Sequence, residues 1–147
     1  MLTRSVWVLL LALSIGAGQN APRPSLRERA EKGDPEAQFN LAKNYEAGRG
    51  GLKRDYAEAQ RWYLRAAEQG DPFAQASLGI LFRFGKGVAQ DYATAYKWFY
   101  LAASRTTGSD QESILELRDS TAARMTAGQI AEASRLAREW KPKPKAE

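Results

Sequence analysis

The fold is decided by a stretch that occurs twice in the chain. Residues 33–41 read GDPEAQFNL, and residues 70–78 read GDPFAQASL. The likeness continues to residue 50 at an offset of 37, then from residue 52 to residue 67 at an offset of 36. In all, 15 of 34 aligned positions are identical. Self-similarity at this period indicates a helical repeat protein.

Each repeat reads as two helices. In the first repeat, Asp34 precedes Pro35, which predicts an N-cap followed by the first helical residue. Small and apolar residues then recur every four positions until Gly48, where the chain must leave the helix. A second helix is predicted to start at Asp55, with Glu58 completing a capping box. The second repeat shows the same signals for two further helices.

These residues resemble the Sel1-like repeat, a relative of the tetratricopeptide repeat. The resemblance rests on Ala-x3-Leu-(Ala/Gly)-x2-(Tyr/Phe)-x2-Gly-x-Gly, then Asp-Tyr-x2-Ala-x2-Trp-(Tyr/Phe)-x2-Ala-Ala, within residues 33–103. It implies an all-α fold: a short right-handed solenoid of antiparallel helix pairs with a concave binding surface. It also implies adaptor roles in bacterial signalling and cell-envelope systems. The functions of cysteine-rich relatives are not expected here, because this chain contains no cysteine.

The N-terminal residues predict export. Residues 1–18 combine a basic start, an apolar run and small residues at the end, which is the pattern of a cleaved signal peptide. The apolar run is shorter than the ~20 residues of a membrane-spanning helix, although an uncleaved anchor is the alternative. We therefore expect a mature chain that begins near Gln19. The resemblance implies a periplasmic or secreted protein of a Gram-negative type of bacterium.

Flanking segments are predicted to complete the core. Residues 19–24 read as a linker, and the repeat region is placed at 25–104, beginning with a capping box in which Glu28 is the third helical residue. Residues 109–140 are predicted to be a divergent helical pair that closes the solenoid. Residues 141–147, KPKPKAE, are predicted to be a basic disordered tail. Binding of anionic lipid or wall polymer is the alternative to a solvated tail.

The composition argues against catalysis. The chain has no histidine and no cysteine, which removes the commonest general base and the soft metal ligands. A net charge of +5 without a Lys/Arg block does not indicate nucleic-acid binding. We therefore expect no catalytic residues, no metal and no cofactor. Four aspartates are interpreted as helix caps: Asp34, Asp55, Asp71 and Asp91.

A partner-binding groove is predicted where the two repeats differ on the inner face of the first helix of each pair. Its candidate residues are Phe39, Lys43, Phe73, Ile80, Arg83 and Phe84. They would suit another protein or a peptide segment with apolar anchors and an acidic group. The alternative is that the helix predicted at 110–124 covers this patch and makes it core.

The sequence therefore favours a periplasmic adaptor or regulator that binds another protein. A permanent structural subunit of an envelope assembly and an enzyme acting on the cell wall are the alternatives. The repeated aromatic residues, Trp62 and Trp98 above all, are interpreted as core between helices and not as a sugar-binding platform. Contact with a membrane is expected only through an uncleaved signal.

Overall fold

The computed structural model describes residues 22–144. Within them the chain forms seven α-helices and no strand. The predicted signal peptide and the first three residues of the predicted linker lie outside the described part of the chain. The helices are α1 (Leu26–Glu31), α2 (Pro35–Ala47), α3 (Tyr56–Glu68), α4 (Pro72–Phe84), α5 (Tyr92–Ala103), α6 (Gly108–Ala122) and α7 (Ala127–Glu139).

The helix starts follow the predicted caps. All four aspartates accept hydrogen bonds from the first-turn backbone N–H groups of α2, α3, α4 and α5. Full capping boxes are present at Ser25 and at Thr126, as predicted. The capping box predicted for α3 is wrong in its second half. The Glu58 side chain accepts a hydrogen bond from Arg61 at 2.5 Å, one turn further along the helix.

The two repeats are the helix pairs α2/α3 and α4/α5, and α4 also packs on α3. Gly48 and Gly85 have left-handed backbone conformations that end the first helix of each pair. In each pair a buried glutamine donates a hydrogen bond to the helix that precedes the pair. The side-chain amide of Gln38 donates to the Ala30 carbonyl at 3.0 Å, and that of Gln75 donates to the Ala67 carbonyl at 3.1 Å.

The core is built from alanines that allow the helices to approach closely and from large rings that fill the remaining space. Trp62 and Trp98 are both buried, which confirms their interpretation as core. Tyr63 and Phe99 occupy equivalent positions and are fully buried. In the second repeat Gly79 faces Phe99 so closely that an added Cβ would lie 2.5 Å from the ring.

The region predicted as a divergent pair contains two helices, but they do not pair with each other. Both α6 and α7 pack on α5, and they hardly touch one another. Their predicted buried stripes are confirmed at Ile114 and Thr121 in α6 and at Ala133 and Ala137 in α7. The apolar stripe of each helix is narrow and packs mainly on α5, and α6 also contacts Ile80 of α4.

Residues 141–144 differ from the predicted disordered tail, because Trp140 anchors them on the second helix pair and Lys143 contacts α3, whereas residues 145–147 of that tail lie outside the described part of the chain. The Trp140 ring meets the Trp98 ring edge-on at 6.3 Å. The backbone N–H of Lys143 donates to the Glu68 carbonyl, and its ammonium group lies 2.7 Å from the Glu68 carboxylate. An ion pair 75 residues apart in sequence has no local signal, which explains why the sequence did not predict it.

Within residues 22–144, none of the helices combines the length and the apolar character that a bilayer crossing needs.

Candidate partner-binding groove

The inner face of the first repeat is organised around three aromatic rings. Phe39 of α2 lies 5.7 Å from Tyr63 of α3 and 6.3 Å from Phe73 of α4, measured between ring centroids. Tyr63 is fully buried, whereas Phe73 is 47% exposed. The rings therefore run from the core of the first repeat out to the surface where the second repeat begins.

A concave site of about 630 Å³ lies along α2 beside these rings. We call it the first-repeat groove. Its chemistry is mixed, with an aromatic floor, two amide side chains, and cations towards its surface. The lining residues are Leu26, Phe39, Asn40, Lys43, Asn44, Glu46, Ala47, Arg49, Tyr63 and Ser77.

A partly buried hydrogen bond fixes Glu46, the one carboxylate among the lining residues named above. The Tyr63 hydroxyl donates to the Glu46 carboxylate at 2.6 Å. Burial raises the pKa of Tyr63 strongly, and the hydrogen bond to Glu46 raises that pKa further. The phenol therefore remains a neutral donor at physiological pH, and it holds Glu46 against the α3 side of the groove.

Lys43 lines the groove, and Phe73 lies outside its lining but contacts the Phe39 ring. The Lys43 ammonium lies 5.4 Å from the centroid of the Phe39 ring, a cation–π arrangement. The equivalents of Lys43 and Phe73 in the sister repeat are Ile80 and Glu36. Both residues therefore depart from the repeat pattern, as the sequence analysis required of functional positions.

The six predicted residues do not form one surface. Phe39, Lys43 and Phe73 lie at or beside the first-repeat groove. Ile80 is partly buried against a separate cluster that includes Phe99 and residues of α6. The alternative, in which the helix predicted at 110–124 covers the patch, thus describes the structure at Ile80.

Arg83 is engaged by α6. Its guanidinium donates to the Leu117 carbonyl at 3.1 Å and to the Thr121 hydroxyl at 3.3 Å, and it also contacts the Ser120 hydroxyl. These groups belong to the last two turns of α6, where a cation complements the negative end of the helix dipole. Arg83 therefore differs from the expected free groove residue, because it fixes α6 to the second repeat.

Phe84 lies outside the first-repeat groove. It is 55% exposed at the end of α4, where Arg83 and Lys86 lie 5.2 and 6.0 Å from its ring centroid. The ring is not among those that line the first-repeat groove.

The hydrogen bond between Tyr63 and Glu46 was not predicted from the sequence. A signal was present, because the two positions change in concert between the repeats. Tyr63 becomes Phe99, which has no hydroxyl, and Glu46 becomes Arg83, which needs no such donor. Within residues 22–144, no cluster of acidic side chains is arranged to hold a metal ion.

Stacked helix pairs with an open inner face define the class of short helical-repeat proteins. The family profile of the Sel1 repeat matches residues 35–71 and 72–106. The chain is 30% identical to a Sel1 repeat protein from Oxalobacter formigenes, with a TM-score of 0.52, and covers 96% of that protein's structure. That match spans 78% of this chain. This chain belongs to the Sel1 repeat family.

Other relatives are much longer. The structure of c5321, a protective antigen present in uropathogenic Escherichia coli strains, displays an SLR fold and matches with 36% identity and a TM-score of 0.71. That match covers 78% of this chain and 24% of c5321. HRD3A of Arabidopsis thaliana, an ERAD-associated E3 ubiquitin-protein ligase component, is 36% identical over 62 residues. The localization factor PodJL of Caulobacter vibrioides is 46% identical over 48 residues.

These curated relatives share only a small part of their length with this chain. The match covers 42% of this chain and 9% of HRD3A, and 33% of this chain and 5% of PodJL.

Proposed function

We propose that this chain is an exported interaction module that binds a partner protein in the first-repeat groove and acts as an adaptor or regulator, not as an enzyme. One observation carries the proposal: Phe73 is 47% exposed beside Phe39, a ring that lines the open groove. The equivalent positions of the sister repeat hold Glu36 and Ala76, so the scaffold does not require these two rings.

The groove suits a segment that carries an apolar anchor and an acidic group. The anchor would pack against Phe39 and Phe73, because exposed aromatic rings supply large contact area at interfaces. The acidic group would lie near Lys43 and Arg49, since both cations are exposed and line the groove. The Glu46 carboxylate would repel the partner's acidic group, but its hydrogen bond to the Tyr63 hydroxyl keeps it on the α3 side of the groove.

The relatives support the adaptor role. HRD3A is by its name a component of a larger ligase, and PodJL is by its name a localization factor. Both descriptions fit proteins that act by binding others. For this chain we place the binding in the periplasm, on the strength of the signal-like pattern of residues 1–18.

Site-specific photo-crosslinking tests the groove. A photoreactive phenylalanine analogue at Phe73 should capture a defined protein in living cells, to be identified by mass spectrometry. The same analogue at Arg138, an exposed position on α7, is the matched control. Capture of one protein from Phe73 and not from Arg138 supports the groove, whereas equal patterns from both positions contradict it.

Export is tested separately. N-terminal sequencing of the protein from periplasmic extract should give a mature chain that begins near Gln19. Protein that begins at Met1 or Leu2 and remains with the membrane fraction would contradict cleavage and favour an anchor.

A further inference from the structure

The two edges of the solenoid are chemically different. In a stack of antiparallel helix pairs, the loops within pairs lie on one edge and the turns between pairs lie on the other. The loop of the second repeat rests directly on the first repeat, because a Cβ on Gly87 would lie 2.6 Å from the Tyr56 backbone. The loops at 48–55 and 85–91 therefore form one continuous surface, which we call the loop edge.

The loop edge carries cations that have no carboxylate partner. Arg49, Lys53, Arg54 and Lys86 are all exposed. Within residues 22–144, none of the four takes part in a salt bridge.

The nearby carboxylates are occupied elsewhere. Asp55 and Asp91 accept from the first turns of α3 and α5, with N···O distances of 3.0 Å in each case. These bonds place both aspartates at the positive ends of helices, which compensate their charge. The outward charge of the loop edge is therefore positive.

An exposed aromatic ring lies beside Lys86 on the loop edge. Phe84 is the most exposed of the large hydrophobic side chains in residues 22–144, at 55%. It ends α4 immediately before Gly85, whose left-handed conformation turns the chain sharply into the loop. Lys86 lies near the ring of Phe84 and also 5.8 Å from that of Tyr56, so it joins the two repeats at this edge.

We propose that the loop edge docks the protein on an anionic lipid surface. Phe84 enters the boundary between headgroups and acyl chains, and Arg49, Lys53, Arg54 and Lys86 contact lipid phosphates. An apolar side chain surrounded by cations is the combination that binds a membrane interface. Each cation near an anionic surface increases partitioning roughly fivefold.

The placement of these groups favours a lipid surface over an acidic protein segment. The cations come from two repeats and project from turns, whereas the first-repeat groove offers its own aromatic floor for a protein ligand. A bilayer presents many equivalent phosphates, so dispersed cations bind without matched geometry. The C-terminal lysines are the other lipid-binding site that the sequence suggests. Lys143 of that tail is paired with Glu68.

Vesicle co-sedimentation tests the proposal on the protein as isolated from cells. The probes are phosphatidylcholine vesicles, with and without one third phosphatidylglycerol. We expect binding to the anionic vesicles that weakens as salt rises, because the Debye length is only about 10 Å at 0.1 M. The double variant Lys53→Glu, Lys86→Glu should bind at least about tenfold more weakly. Phe84→Ser should also weaken binding, roughly tenfold, through loss of the apolar contact.

The matched control is Lys32→Glu, Arg138→Glu, which changes net charge equally at exposed positions away from the loop edge. It should bind nearly as well as wild type. Equal loss in both double variants would reduce the effect to net charge and overturn the proposal. Failure of the wild type to prefer anionic vesicles would overturn it too. Binding of soluble polyglutamate without binding of vesicles would assign the edge to an acidic protein instead.

Discussion

The first and second repeats share their caps, turns and tryptophans, yet they use the same inner positions differently. In the first repeat the Glu46 carboxylate accepts a hydrogen bond from the Tyr63 hydroxyl, and the groove beside this pair is open. In the second repeat Arg83 stands in place of Glu46 and binds the end of α6. The inner face of the second repeat thus holds a neighbouring helix of the same chain, whereas that of the first repeat is open, and there we propose that a partner binds.

The difference teaches how a repeat protein ends. A repeat that must be followed by a divergent helix needs side chains that recognise that helix, and Ile80 and Arg83 supply an apolar and a charged contact to α6. The first repeat is followed by its own sister, so its inner positions are released from that task. Lys43 of α2 uses this freedom, and Phe73 at the start of α4 lies beside it through the Phe39 ring.

The largest effect is expected at the tryptophans. Trp98→Ala should lower the free energy of unfolding by about 3–5 kcal/mol, the usual range for deletion of a large buried ring. Trp62→Ala should cost about 1 kcal/mol less, because only Trp98 also packs against Trp140 of the C-terminal segment. Urea denaturation followed by circular dichroism measures both values. A larger loss for Trp62→Ala would show that the C-terminal segment adds nothing at Trp98.

A smaller effect is expected at Glu46 and Arg83, which occupy equivalent positions in the two repeats. Arg83→Gln should cost about 1–2 kcal/mol, since it removes charge-assisted donors from the α6 carbonyl end. Hydrogen exchange should then accelerate in α6 while α2 stays protected. The control is Glu46→Gln, which keeps an acceptor for Tyr63 and should leave exchange in α6 unchanged. Uniform acceleration across all helices after Arg83→Gln would contradict the local role.

The Tyr63–Glu46 pair makes stability depend on alkaline pH. An unfolded tyrosine ionises near pH ~10, whereas burial and the Glu46 hydrogen bond raise the pKa of Tyr63 in the fold. Above pH ~10 the unfolded chain loses a proton that the folded chain keeps, so stability is full below this pH and falls as pH rises.

Tyr63→Phe, which copies Phe99 of the sister repeat, should flatten that fall. Urea midpoints of wild type and variant, measured from pH ~8 to ~11, test it, and parallel profiles would contradict the assignment.

Local signals predicted most of the fold. The proline after Asp34, the glycine at 48 and the spacing of small residues act within one helix, so the sequence alone places the helices of both repeats. The arrangement of α6 and α7 was not predictable. A narrow apolar stripe indicates that one face of a helix is buried, but it does not indicate which element covers that face. The docking of Lys143 on Glu68 and of Arg83 on α6 depends on polar contacts between distant residues, which leave no periodic pattern.

The candidate site was predictable only in part, for the same reason. Comparison of the repeats correctly selected positions that depart from the scaffold, including Phe39, Lys43 and Phe73. It could not separate those at the open first-repeat groove from Ile80 and Arg83, which contact α6. That distinction depends on where α6 packs.

The exchange Phe73→Glu tests the central claim most directly, because it gives the second repeat the residue that the first repeat carries at Glu36. A glutamate in the first turn of α4 is compatible with the helix dipole, so the free energy of unfolding should change by less than about 0.5 kcal/mol. The measurement is the amount of the Phe73-crosslinked protein that the purified variant recovers from envelope extract, relative to wild type. We predict a loss of at least about tenfold, as for a central aromatic contact. Full recovery by a folded Phe73→Glu variant would contradict binding in the first-repeat groove.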